Sequence, residues 1–123
     1  MQSNKMLWTG RVISALVILF LLVDGVGKVA KFVPYVEGTV KVGYPSSLVV
    51  PIGIVLLICT VVYAIPHTAV LGAILLTGYL GGATATHVRV GQPFYFPIVI
   101  GVLVWAGLFL REERLRALIP LQR

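Results

Sequence analysis

Four side chains stand where they could do chemistry: Asp24, Lys28, His87 and Arg89, each set in or beside a long apolar run. Asp24 and Lys28 are four residues apart, the spacing that brings two side chains together on one helix face. Counted from Val12, where its apolar run begins, Asp24 lies about 18 Å into a hydrocarbon layer of roughly 30 Å. A carboxylate at that depth costs free energy unless it is paired or solvated. Two chemistries fit. The pair neutralises itself near the membrane surface with Lys28 snorkelling outward, or Asp24 faces the protein interior and holds a ligand or relays a proton. Either way Asp24 faces away from lipid. His87 and Arg89 follow the last turn of the third apolar run, where a solvated loop residue and an interfacial anchor are the plain alternatives to a role in the same cluster.

What must hold these residues is a set of four helices. The 123 residues are 59% hydrophobic and 11% charged, whereas an ordinary soluble domain is about 25% charged. Four runs of about 17–20 residues match the bilayer core in length, and within lipid only closed backbone hydrogen bonding survives. Their continuous apolarity excludes the alternating strands of a barrel. The expected architecture is all-α: one transmembrane domain over 1–123, an antiparallel four-helix bundle with helices at about 11–30, 47–65, 68–86 and 94–111. Lys5 and Arg11 ahead of the first run resemble a secretory signal, but Lys28 stands where a cleavage site needs a small residue, so the helix is expected to be retained.

The connections are punctuated. Ser46 or Ser47 is expected to cap the second helix, with Pro51 tolerated near its start. Pro66-His67-Thr68 forces a tight hairpin, and the segment from Lys31 to Ser47, with Phe32, Tyr35 and Tyr44 among charges, suits the interface. Val42-Gly43-Tyr44-Pro45 and Val90-Gly91-Gln92-Pro93 echo one another before the second and fourth helices. In the third helix Gly78 and Gly82 form a GxxxG pair, extended by Ala85, whose expected purpose is close helix packing.

Several functions are excluded. The net charge of +6 comes from basic residues flanking apolar runs, the membrane norm, and no aromatic-interleaved basic stripe offers a nucleic-acid platform. Cys59 is alone and is read as a small buried hydrophobe. His67 and His87 lie about 30 Å apart along one helix, too far to share a haem, and no Cys/His spacing suits zinc or iron–sulfur. Walker-type loops are absent, and Ser14, Ser46 and Ser47 have no neighbouring base in sequence. No catalytic residue, no metal site and no intrinsic cofactor is expected.

An up-down-up-down bundle puts the ends of the first and third helices on one side, gathering Asp24, Lys28, His87 and Arg89, with Tyr44, Gln92 and Tyr95 bordering them. The opposite side carries Lys5, Arg11, Arg111, Arg114, Arg116 and Arg123 against Lys28, Lys31, Lys41 and Arg89 on the cluster's side. The positive-inside rule then places both termini in the cytoplasm.

These residues also carry a resemblance. Asp24-Gly25-Val26-Gly27-Lys28, the run from Leu75 to Gly82, Ala85-Thr86-His87-Val88-Arg89, and Trp105 followed by Leu110-Arg111-Glu112 and Leu115-Arg116 resemble the DoxX-like family of small four-helix bacterial membrane proteins, from Arg11 to Pro120. The resemblance implies an inner-membrane protein associated with quinone-linked oxidoreductase complexes, thiosulfate oxidation among them. The expected function is therefore a non-catalytic accessory subunit that binds lipid or quinone, with the bilayer, a redox subunit or a second copy as partners. Two other classes stay open: a small oligomeric proton-coupled transporter with Asp24 as coupling carboxylate, and a membrane enzyme acting on a lipophilic substrate near Asp24 and His87.

Overall fold

The computed structural model describes residues 4–119. Four long helices, α1 (Asn4–Val29), α3 (Val49–Ala64), α4 (Ala69–Arg89) and α5 (Tyr95–Arg111), form the bundle, with a short α2 (Val33–Lys41) between the first two and a single turn, α6 (Glu113–Arg116), after the last. Among the described residues there is no strand. By length and composition α1, α3 with its leading turn, and α4 can each cross a membrane; α5 is shorter but equally apolar. Its 17 residues span about 25 Å. Leu16, Ile58 and Val102 each present more than half of their surface outward. A helix that is apolar on all sides belongs in lipid. The chain is thus a multi-pass helical membrane bundle.

Neighbours in the bundle run α1–α3–α4–α5 and back to α1. Each helix turns one seam inward at spacings of three and four, such as Gly10, Ser14, Val17, Leu21 and Gly25 of α1 and Val49, Gly53, Leu56, Thr60 and Tyr63 of α3. Small residues sit at the crossings. A Cβ on Gly10 would lie 2.7 Å from Gly107 O, and one on Gly53 would lie 3.0 Å from Gly25 O. Without a hydrophobic force between helices in lipid, such close van der Waals packing holds them together.

Several boundaries differ from expectation. α1 starts seven residues before position 11, because nothing between Lys5 and Gly10 breaks a helix and Thr9 bonds back to Lys5 O at 2.7 Å. α4 runs on to Arg89, so His87 and Arg89 lie within its last turn and not beyond it. Neither Ser46 nor Ser47 caps α3; both belong to a 3-10 turn, Ser46–Leu48, and Leu48 takes the N-cap position with no side-chain bond. That tighter turn satisfies a backbone donor a serine would have taken.

The repeated Val-Gly motif has a structural counterpart. Gly43 and Gly91 both have positive φ, 100° and 75°, and the next residue bonds back five positions, Tyr44 N–H to Thr39 O at 3.2 Å and Gln92 N–H to His87 O at 2.9 Å. This is a left-handed helix terminus that favours glycine. α1 ends the same way, Phe32 N–H to Gly27 O at 3.0 Å, but with Lys31 at φ 59°. Lys31→Gly is therefore expected to stabilise the protein by up to about 1 kcal/mol, read as a higher thermal midpoint in detergent. A lower midpoint would mean that the lysine side chain contributes more than its backbone costs.

Candidate ligand-binding cavity

The two halves of the bundle are built differently. Near the start of α1 and the end of α5 the interior is closed. Tyr63 donates to Val104 O at 2.7 Å, so the hydrogen shared across 3.2 Å between Ser14 Oγ and Tyr63 Oη is Ser14's, and Arg111 Nε donates to Ser14 Oγ at 3.0 Å. Arg111 also lies over the Tyr63 ring at 5.5 Å. A directional chain of hydrogen bonds thus ties α5 to α1, α1 to α3 and α3 back to α5. Ser14 and Tyr63 are 49 residues apart, beyond any local pattern. The topology that gathered the Asp24 group also puts the start of the first helix with the ends of the second and fourth. A lone serine inside an apolar run was the available signal.

Toward the opposite end the helices surround a cavity of about 620 Å³. Leu21, Ile52, Val55, Leu80 and Ile100 supply apolar wall, and Phe20 and Phe96, packed edge to face at 5.2 Å, line it where α1 meets α5. α2 borders the cavity through Pro34, Tyr35, Gly38 and Thr39. It is seated by Tyr35, whose ring occupies the space a side chain at Gly27 would need and receives the Lys28 ammonium at 5.6 Å. Pro34 fits α2's first turn, where a missing N–H costs nothing.

Asp24, Lys28 and His87 all line this cavity. Asp24 Oδ1 accepts from Lys28 Nζ, and His87 Nδ1 bonds Ala83 O at 2.6 Å. Arg89 is not on the cavity wall. It is exposed, with its guanidinium beside the Gly43 turn. Lining residues that sequence reasoning did not single out include Thr39, Tyr79 and Thr86; Tyr44, expected at the border, is on the wall and bonds Thr86 Oγ1 at 3.1 Å. Gln92 and Tyr95 are not among the lining residues.

The Gly78, Gly82 and Ala85 face meets no helix among the described residues. All three are exposed, and a Cβ at Gly78 or Gly82 would find nothing within 4 Å. Both glycines open onto the cavity instead. Gly82→Ala is therefore expected to hold or raise stability by about 0.5–1 kcal/mol, alanine's advantage inside a helix. Thermal unfolding in detergent reads this; a loss of that size would mean that another molecule's helix covers Gly82. Farther along, α4 and α5 leave a wholly uncharged groove of about 720 Å³ over Gly81, Gly101 and Trp105, with Trp105 Nε1 donating to Thr77 Oγ1 at 2.6 Å.

Fold and cavity together define a small helical membrane protein closed at one end and hollowed at the other, with an ion pair at the hollow's polar wall. The chain belongs to the DoxX-like family, whose model matches residues 12–107. Nothing among curated proteins or solved structures matches it.

Proposed function

We propose that this protein is a non-catalytic, ligand-binding subunit of a membrane oxidoreductase system in the bacterial inner membrane, its cavity holding a quinone or another lipophilic molecule. The observation that carries this reading is the cavity's division into a large apolar wall and a small polar one. Its volume of about 620 Å³ falls in the roughly 300–1,000 Å³ range of small-molecule sites, which pair greasy walls with a few placed polar groups. Leu21, Val55, Leu80 and Ile100 would enclose a tail or ring; Asp24, Lys28, Tyr44 and His87 would orient a polar head. A bound quinone would supply two-electron redox chemistry, with the partner subunit supplying the other redox centre. This chain's residues position the head and keep it from water.

The orientation follows from charge. The start of α1, the end of α5 and α6 share one end, bearing Lys5, Arg11, Arg111, Arg114 and Arg116 against Lys28, Lys31, Lys41 and Arg89 at the other; by the positive-inside rule that end is cytoplasmic, with the cavity in the extracytoplasmic half. The hydrogen-bonded closure at Ser14, Tyr63 and Arg111 supports binding over passage through the bundle. The test is to purify the protein in mild detergent and identify what comes with it. One equivalent of a lipophile, reduced in an Asp24→Asn variant, is expected. Folded protein with no lipophile above the detergent background would overturn the reading.

A further inference from the structure

The polar groups of the cavity wall have mostly spent their own hydrogens. His87 Nδ1 lies 2.6 Å from Ala83 O, and a carbonyl only accepts, so Nδ1 carries a proton, and in that tautomer Nε2 offers a lone pair. Thr86 donates its single hydrogen to Gly82 O at 2.8 Å, so Tyr44, 3.1 Å from Thr86 Oγ1, is the donor in that bond. Tyr44 Oη is then left as an acceptor. Thr39 donates to Tyr35 O at 2.9 Å and is likewise an acceptor toward the cavity. Asp24 Oδ1 takes the Lys28 ammonium, while Oδ2 has no hydrogen bond among the described residues. Against these four acceptors stand the Tyr79 hydroxyl and the remaining N–H bonds of Lys28, whose ammonium is already engaged by Asp24 and the Tyr35 ring. The charges of Asp24 and Lys28 cancel, and Arg89 stands outside.

We infer that the cavity selects an uncharged ligand whose polar end donates hydrogen bonds: of a quinone and its dihydroxy-aromatic reduced form, the reduced form. This rests on the reading that the cavity binds a lipophile, and it names which chemistry of lipophile. A quinone's carbonyls have only the Tyr79 hydroxyl and the remaining Lys28 N–H bonds to accept from, and they leave the four acceptors unsatisfied away from water. The two phenolic hydroxyls can donate to two of those four acceptors, and a bond to the Asp24 carboxylate is of the stronger, charge-assisted kind. A phosphate head would face that carboxylate and find the Lys28 ammonium already paired.

The test compares decyl-hydroquinone, decyl-benzoquinone and the dimethyl ether of the hydroquinone, which keeps the ring and tail but has no donor. Equilibrium dialysis against the full chain in detergent, without oxygen, gives the three affinities. The hydroquinone is expected to bind about tenfold more tightly than either of the others, the factor that one or two net hydrogen bonds are worth. Asp24→Asn, which adds an amide donor, and His87→Phe, which removes Nε2, should each narrow that ratio. Equal binding of the three compounds, or tighter binding of the quinone, would overturn the inference while leaving a lipophile site intact. A preference unchanged in both variants would overturn its assignment to these residues. Binding of none of them by folded protein would overturn the ligand-binding reading itself.

Discussion

Gly72→Ala is expected to be the most destabilising small substitution in the chain. The added Cβ would fall on the backbone N and Cα of Tyr63, and no side-chain rotation can relieve a clash with main chain. α3 and α4 would have to separate where a 3-10 turn, Pro66–Thr68, already fixes their hairpin. Tyr63 is fully buried and makes the hydrogen bond to Val104 O that closes this half of the bundle, so a shift of α3 disturbs the contacts to α5 and α1 as well. Overpacking costs typically 1–3 kcal/mol, and a clash with backbone belongs at the top of that range, about 3 kcal/mol out of a total stability of order 5–15. Unfolding in mixed micelles followed by circular dichroism measures it. The contrast with Gly82→Ala is the sharper check, since both changes add one methyl group to the same helix. Equal midpoints for the two variants would show that α3 and α4 slide past one another at little cost.

That contrast also shows what a sequence of this kind displays and what it conceals. The four apolar runs are visible because lipid demands length and apolarity, and these are properties of each run alone. The packing faces are hidden because the lipid-facing side of a helix is as apolar as the packed side. Leu19 outside and Leu21 inside α1 differ in no way that hydropathy registers. The spacing of Gly78 and Gly82 points to packing, yet the close approaches fall at Gly10, Gly25, Gly53, Gly72 and Gly107. Charge is more legible, since a charged group must be accommodated wherever it falls. Topology alone brings Asp24, Lys28 and His87 to one cavity. It does not distinguish Arg89, because two further residues along a helix, about 200° of rotation, separate the inward His87 from the outward Arg89. Tyr44 and Thr86, 42 residues apart, meet only because the Gly43 turn aims Tyr44 back across α4.

The Asp24–Lys28 pair allows a cycle that separates its structural from its binding role. The two side chains are 25% and 15% exposed, so each single substitution strands a charge in a largely closed site. Lys28→Met is expected to cost about 3 kcal/mol, the low end for breaking a buried pair, because Asp24 lies deeper and its short side chain cannot reach the interface. Asp24→Leu should cost less, about 2 kcal/mol, since a lysine near a helix end can snorkel outward. The double substitution removes both charges and fills the space with apolar atoms, and such replacements are often neutral or stabilising. It is expected to melt within about 1 kcal/mol of the parent. Were the pair only a structural device, this restored protein would retain its ligand. The expected result is the opposite: stability returns and affinity for the co-purifying lipophile stays at least about tenfold down, because the carboxylate that accepts from the ligand's head is gone. Recovery of binding together with stability would reduce Asp24 and Lys28 to a means of carrying each other across the bilayer.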